Sequence, residues 1–514
     1  MKKIIFCFTS ALISCSILLI SCQKDIPNYV EFEAYEWSGT DPNGGTWKTI
    51  LDIDPSTISI PSPQLSGTPE YRASLDDLAA KTNNLTSSQK QSIQYWTNNP
   101  TIRWNEIARS LAAKYNLAPA PNEQGQYPGP DPANPDQYPL FPFAHPPYAC
   151  RAFAYLSASQ FDALVVSWHH KSVHTQAEHA DVDARINLAF PKSGYSPYPS
   201  DGAAVTATSL AILKAMFPLE HAYLDAKAAE MYQVLEWSGQ NTQSDIAAGK
   251  LIGQDIAQRY LQRASSDGMR QAQTNRTVSD SIKNAAFQRF GWQWENLEAP
   301  QRPVGIAPKY GKVRTWFVPD VTQIRPGPPP APGSAEFAEA VRELESVQKN
   351  LTNEQRKIAN WWSDGLSSYT PPGHWNRLAC DYIIGDRLNP LRTARVLAYM
   401  NTAIMDAGIA CWDVKYYYHY PRPSQAVVGF KTILGIPNFP SYTSGHSTFS
   451  SAAAETLAHL FPQKGNEARA WAREAAESRI YAGIHFRFDS EVGIDQGKKV
   501  SEFVIARAQT DGAQ

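Results

Sequence analysis

Apolar residues return every three or four positions along most of the chain, as in "TFSSAAAETLAHLF" (448–461) and "ARAWAREAAESRIYAGI" (468–484). That spacing puts them on one face of a helix. Alternation with period two, the mark of a strand, is scarce, so the pattern predicts an all-α protein. Proline breaks it in two places. "RPGPPPAPGS" (325–334) cannot be helix and reads as part of an extended strap, and "YPGPDPANPDQYP" (127–139) reads as a long loop.

The pattern also repeats. "RAFAYLSASQFDALVVSWHHK" (151–171) matches "RVLAYMNTAIMDAGIACWDVK" (395–415) at a constant offset of 244, pairing Arg151 with Arg395, Asp162 with Asp406, Trp168 with Trp412 and Lys171 with Lys415. The register holds through Phe217/Phe461, Gly249/Gly493 and Asp267/Asp511. Upstream, after length changes, "LTSSQKQSIQYW" (85–96) resembles "LTNEQRKIANWW" (351–362). One register over such a distance reads as an ancient duplication. The length of 514 residues also exceeds what one core usually serves. The expectation is two helical bundles related by internal duplication and packed side by side, with proline-rich connections. The divisions are a signal peptide at 1–21, an extension at 22–75, a first bundle at 76–268, a connecting segment at 269–345 and a second bundle at 346–514.

The start, "MKKIIFCFTSALISCSILLISCQKD", has a basic tip, a short apolar run and small residues before Cys22. Leu19 to Cys22 resemble a bacterial lipobox, which makes Cys22 the expected lipidation site. An earlier "LISC" at 12–15 would leave an apolar stretch exposed after cleavage. The expected location is an exported lipoprotein of the outer membrane, on its periplasmic or outer side. The formal charge of −2 becomes −4 once Lys2 and Lys3 are removed, which gives no support to a nucleic-acid partner. Beyond Cys22 only Cys150, Cys380 and Cys411 remain, too few and too scattered for a disulfide scaffold or a cysteine metal site.

Three blocks of the second half carry candidate chemistry: "KYYYHYPRP" with Lys415 and Arg422, "PSYTSGHSTFS" with Ser444, Gly445 and His446, and "SRIYAGIHFRFD" with Arg479, His485 and Asp489. Three cations gathered in one pocket repel one another unless an anion joins them, and a multiply charged oxyanion suits the planar fork of arginine. Ser444 and the Gly445 N–H, at a helix start, add neutral donors. His485 and Asp489, four apart on a helix face, would touch, the carboxylate fixing the ring's tautomer. His446 is placed to exchange a proton with the guest. The first half provides a control. It keeps Lys171, Ser200 and Asp245, but has Glu178, Gly202, Leu235 and Asn241 where the second has Arg422, His446, Arg479 and His485. Helix packing therefore does not require those four residues.

The order Lys, six residues, Arg-Pro, then Ser-Gly-His, then Ser-Arg, five residues, His, three residues, Asp resembles the signature of the vanadium-dependent haloperoxidases and the type 2 phosphatidic acid phosphatase superfamily. Thr443 departs from it where the family usually has Pro. The resemblance implies that Lys415, Arg422, Ser444, Gly445 and Arg479 hold the oxygens of vanadate or phosphate. It implies His485 as the apical vanadium ligand or phosphatase nucleophile, His446 as acid-base residue and Asp489 as orienter. It further implies a vanadate cofactor, with hydrogen peroxide and halide as substrates. The alternative is an acid phosphatase acting on a phosphomonoester through phosphohistidine, with no cofactor. The duplicated architecture and lack of apolar spans favour the peroxidase. The short interval of 31 residues between His446 and Ser478 favours the phosphatase. A third reading is a noncatalytic surface lipoprotein binding a ligand or polysaccharide through its many Tyr and Trp. Trp412 and His374 are further pocket candidates. The run "YYYHY" (416–420) is expected to line a substrate mouth, and the tract His169, His170, His174 and His179 to lie on the surface.

Overall fold

The computed structural model describes residues 33–116, 145–298 and 304–513. Cys22 with its signal sequence and the loop at 127–139 lie outside the described residues. Helices carry the fold, and no strand occurs among the described residues. None of the described helices is long and apolar enough to cross a membrane.

Local signals start the helices where the sequence puts them. Thr86 and Thr352, in the matching "LTSSQ" and "LTNEQ" segments, both form reciprocal capping boxes, with Gln89 and Gln355. Helices then begin at the 244-residue spacing: Pro146–Val173 and Pro390–Tyr418, Asp201–Met216 and Gly445–Leu460, His221–Trp237 and Gly465–Tyr481, Gln243–Ser265 and Arg487–Ala508. Side-chain contacts recur at the same spacing. Arg151 Nε lies 2.6 Å from Asp267 Oδ2, and Arg395 Nε lies 2.7 Å from Asp511 Oδ2. The buried carboxylate of Asp162 accepts the Ile50 and Leu51 N–H groups, and that of Asp406 accepts those of Trp316, Phe317 and Val318.

The two longest helices, Pro146–Val173 and Pro390–Tyr418, run together through the centre, with almost all their side chains buried. The equivalent positions 157 and 401 meet there, Asn401 Nδ2 donating to Ser157 Oγ at 2.9 Å. Asn376, which accepts from Asn105 at 2.6 Å, extends this polar knot. Instead of two separate cores, one contiguous apolar cluster runs from Trp47 to Ala513. The central helices are buried nearly all round and pack against both sets of neighbours at once.

Two boundaries differ from expectation. The first bundle's opening helix, Pro69–Thr82, starts inside the span assigned to the extension, capped by Thr68. The connecting segment contains two helices, Arg276–Phe290 and Ala335–Lys349, so only the described residues between them, 291–298 and 304–334, form a strap. The strap is clamped by the tyrosine run expected at a substrate mouth. Tyr416, Tyr418 and Tyr420 are buried and donate to Ile306, Pro326 and Pro330 carbonyls at 2.7–2.9 Å, and Tyr442 donates to Gly327. A proline-rich segment offers carbonyls and few N–H groups, so phenol donors are what it can use. The histidine tract is also partly internal. His170 reaches the Ile58 carbonyl at 2.9 Å and His179 the Asp245 carboxylate at 2.7 Å. Among the described residues no group of His, Cys, Asp and Glu is arranged to hold a metal ion.

Candidate active site

Four elements meet where the three sequence blocks converge. Lys415 lies in the last turn of Pro390–Tyr418, and Arg422 follows it in the turn after. Ser444 caps Gly445–Leu460, Arg479 ends Gly465–Tyr481, and His485 and Asp489 flank the start of Arg487–Ala508. Lys415, Arg422 and Arg479 are at most 1% exposed. Their known bonds go to neutral groups. Lys415 Nζ donates to the Pro440 and Ser441 carbonyls, both at 2.8 Å. Arg422 donates to Phe439 O and Ile484 O at 2.8 and 2.7 Å. Arg479 grips the Ala359 and Trp362 carbonyls at the end of helix Asn353–Trp361, besides Ser478 Oγ. Carbonyls fix where the cations stand but do not neutralise them. Burial accordingly depresses all three: Arg422 falls to about 9 and Arg479 to about 10, and Lys415 falls by burial and by the neighbouring Arg422.

The donor set fits an oxyanion in two further details. The Ser444 hydroxyl accepts the Ser447 N–H as an N-cap, which leaves its own proton free to donate. A Cβ built on Gly445 would meet only Phe449 and Trp412, at 3.5 and 3.8 Å. Packing thus does not dictate the glycine, whose missing side chain gives a guest access to the helix N-terminus.

His485 and Asp489 do meet, Nδ1 to Oδ2 at 2.9 Å, but not across a helix face. His485 precedes the helix, and Asp489 is its third residue, accepting the Phe486 N–H at 3.1 Å as the return half of the cap. One carboxylate therefore closes the helix start and holds the imidazole proton on Nδ1, leaving the Nε2 lone pair 3.4 Å from Arg422 Nη1. Ser441, not singled out in the sequence, also donates to Asp489 Oδ2 and lies 3.2 Å from the ring. Burial first, then Arg422, Lys415 and Arg479, holds His485 neutral far below its ordinary range. Burial raises Asp489, opposed by Ser441 and Lys415.

His446, in the first turn of its helix, is pulled down to about 4 by burial and by Arg479. Its Nε2 is buried without a hydrogen-bond partner and stands 3.6 Å from Asp364 Oδ2, a charge contact beyond bonding range. Asp364 was missed by the sequence reading. Its Oδ1 lies 3.1 Å from His374 Nδ1; burial raises this carboxyl, but the two histidines outweigh burial and hold it at about 2. A signal existed, since continuing the match of 85–96 with 351–362 by two residues sets Asp364 against Asn98, a charge gained in the second half alone. His374, stacked on Trp362 at 4.4 Å, thus borders the site through Asp364. Trp412 forms an aromatic wall with Phe439, their rings 4.9 Å apart, and Lys415 lies 5.9 Å from the Trp412 ring. Its N–H is committed to the Ile306 carbonyl at 3.0 Å, so Trp412 offers the pocket a face and no donor. Thr443, the departure from the signature, donates to Gln496 at 2.8 Å and ties the loop to the last helix.

This arrangement can be set beside known proteins. Residues 395–509 match the PAP2 superfamily. The vanadium chloroperoxidase of Curvularia inaequalis is 27% identical over a stretch covering 30% of this chain and 32% of that protein, so the alignment spans about a third of the relative's length. The crystal structure of the first bacterial vanadium-dependent iodoperoxidase superposes with a TM-score of 0.57 at 20% identity, over 87% of this chain and 98% of that one. The fold is that of the vanadium haloperoxidases. A bacterial vanadium-dependent chloroperoxidase agrees with it, at a TM-score of 0.52 and 14% identity over 71% of this chain and 94% of that one. The haloperoxidase fold thus brings together every residue of the sequence signature in its second half and surrounds them with Asp364, Ser441 and Phe439.

Proposed function

We propose that this protein is a vanadate-dependent haloperoxidase that oxidises halide with hydrogen peroxide. The observation that carries the reading is the convergence of three buried cations and a helix N-terminus on two neutral histidines, one braced by a carboxylate and one with an unpartnered nitrogen. Vanadate fits that donor set. Lys415, Arg422, Arg479, Ser444 and the Gly445 N–H would hold its oxygens, and His485 Nε2 would ligate the metal. When bound, vanadate supplies the Lewis acidity that activates hydrogen peroxide toward halide.

The chain's own groups do the rest. His446 is unprotonated at neutral pH and accepts a proton from hydrogen peroxide. Asp364 stabilises the imidazolium that results, and the proton then returns to the oxygen that leaves as water. The sum is hydrogen peroxide, halide and one proton giving hypohalous acid and water. The Trp412–Phe439 wall keeps bulk water from one side of the cations, which strengthens their hold on an anion. A phosphomonoesterase would use the same cradle, because the phosphoryl transition state has the shape and charge of five-coordinate vanadate.

A paired assay separates the two. Purified protein incubated with orthovanadate is assayed for peroxide-dependent oxidation of iodide, bromide and chloride; without vanadate it is assayed for phosphate release from an aryl phosphate. Vanadate-dependent halide oxidation supports the proposal. Phosphate release inhibited by vanadate, with negligible halide oxidation, would replace it by the phosphatase.

A further inference from the structure

At the place corresponding to the oxyanion pocket, the first half holds a second cleft of opposite character. Trp37, Tyr195 and Phe190 wall it, and Lys171, Lys192, Glu178 and Asp201 are its charged groups, Lys192 being paired with Asp181. Groups that could attract an oxyanion are lost or already engaged. Glu178 stands in sequence where the second half has Arg422, and Leu235 where it has Arg479. Asn241, in the place of His485, accepts from Ser200 Oγ at 2.8 Å and donates to the Pro197 carbonyl at 2.9 Å. Lys171 donates to the Ser196 carbonyl at 2.6 Å and faces Asp201 Oδ1 at 3.7 Å.

What remains is a mixed set of polar groups beside aromatic rings. Glu178 is bonded through Oε1, which takes the Ser193 hydroxyl and the Gly194 N–H, both at 2.8 Å. Asp201 Oδ2 accepts from Tyr195 at 3.2 Å. Trp37, brought in by the N-terminal extension, stacks on Tyr195 at 5.2 Å, and its buried indole N–H has no partner. A buried donor of that kind calls for an acceptor, and Glu178 Oε2 has room for a further donor. An organic cation would satisfy the carboxylates and leave the indole alone; an oxyanion would do the reverse. Hydroxyl groups do both, and the C–H face of a sugar ring packs on aromatic faces. We propose that this cleft binds a neutral polyhydroxyl ligand, a saccharide unit, independently of the oxyanion chemistry of the second half.

The test is saturation-transfer NMR of the purified full chain with neutral methyl glycosides of glucose, galactose and mannose, beside choline and orthophosphate. At least one neutral glycoside should bind, and Trp37→Phe and Asp201→Asn should each weaken it by about fivefold or more, the size expected for one lost hydrogen bond. The far-ultraviolet circular dichroism spectrum and melting temperature should be unchanged in both variants, which verifies their fold, and Glu178→Gln replaces either one that fails this check. The proposal is overturned if none of the glycosides binds. It is equally overturned if choline or orthophosphate binds in their place and is displaced by the Asp201 change, or if the folded variants bind the glycoside as well as the parent.

Discussion

Replacing Asp364 by Asn removes the carboxylate that faces His446 while keeping its shape. The carboxylate spreads its charge over two oxygens, and Oδ1 is turned to His374, so about half a charge lies 3.6 Å from His446 Nε2. At an effective dielectric of about 20, half a charge at that range stabilises imidazolium by about 2 kcal/mol, or about 1.5 pH units. His446 already titrates at about 4 because burial and Arg479 outweigh Asp364. Its protonation in Asp364→Asn should therefore drop below 3. The acid limb of the activity profile, where His446 becomes protonated and can no longer accept a proton, should move down by about 1.5 units. The proton acceptor is then weaker, and turnover at neutral pH should fall about tenfold. The assay is the pH dependence of halide oxidation from about pH 2 to 8 for parent and variant. An acid limb that stays in place, or moves upward, would refute the assignment of Asp364 as the residue that sets His446.

Other perturbations follow from the same contacts. His485→Ala should abolish vanadate binding and activity together, measured by calorimetry and by halide oxidation. Tyr420→Phe and Tyr442→Phe each remove one hydrogen bond to the strap, so each should cost about 1 kcal/mol in urea denaturation and speed proteolysis between residues 291 and 334. Gly497→Ala places a Cβ 2.3 Å from the Thr448 carbonyl and should cost about 3 kcal/mol or more, read as a lowered melting temperature. Asp406 is raised by burial to about 6, so the stability its carboxyl contributes is full below the unfolded value of 3.8 and is lost as pH rises toward 6. The penalty of Asp406→Asn relative to the parent should therefore be largest near pH 4 and shrink by up to about 3 kcal/mol by pH 7 in paired denaturation curves.

The helical order was legible because local signals and long-range packing agree: capping threonines open the helices, and a single register governs both halves. The signature residues were legible because the first half lacks four of them, which separates chemistry from packing within one sequence. Residues read by position alone were harder. The four-residue spacing of His485 and Asp489 points equally to a helix face and to a cap, and only the backbone turn before Arg487 decides for the cap. Tyrosines next to Lys415 look like a substrate mouth until the strap, more than 80 residues earlier in the chain, covers them with its carbonyls. Asp364 and Ser441 act through partners 82 and 48 residues away, and nothing in their own neighbourhood marks the side chain that will face them. The shared core was hidden because the apolar pattern of Pro146–Val173 and Pro390–Tyr418 says that every face is buried, not against which half.

On the function proposed above, the second half alone holds an oxyanion. Isothermal titration of the purified full chain with orthovanadate tests it directly. One site per chain, lost in His485→Ala and unchanged in Lys171→Met, is the predicted result. Two equivalent sites, no site, or binding that survives the loss of His485 would contradict it.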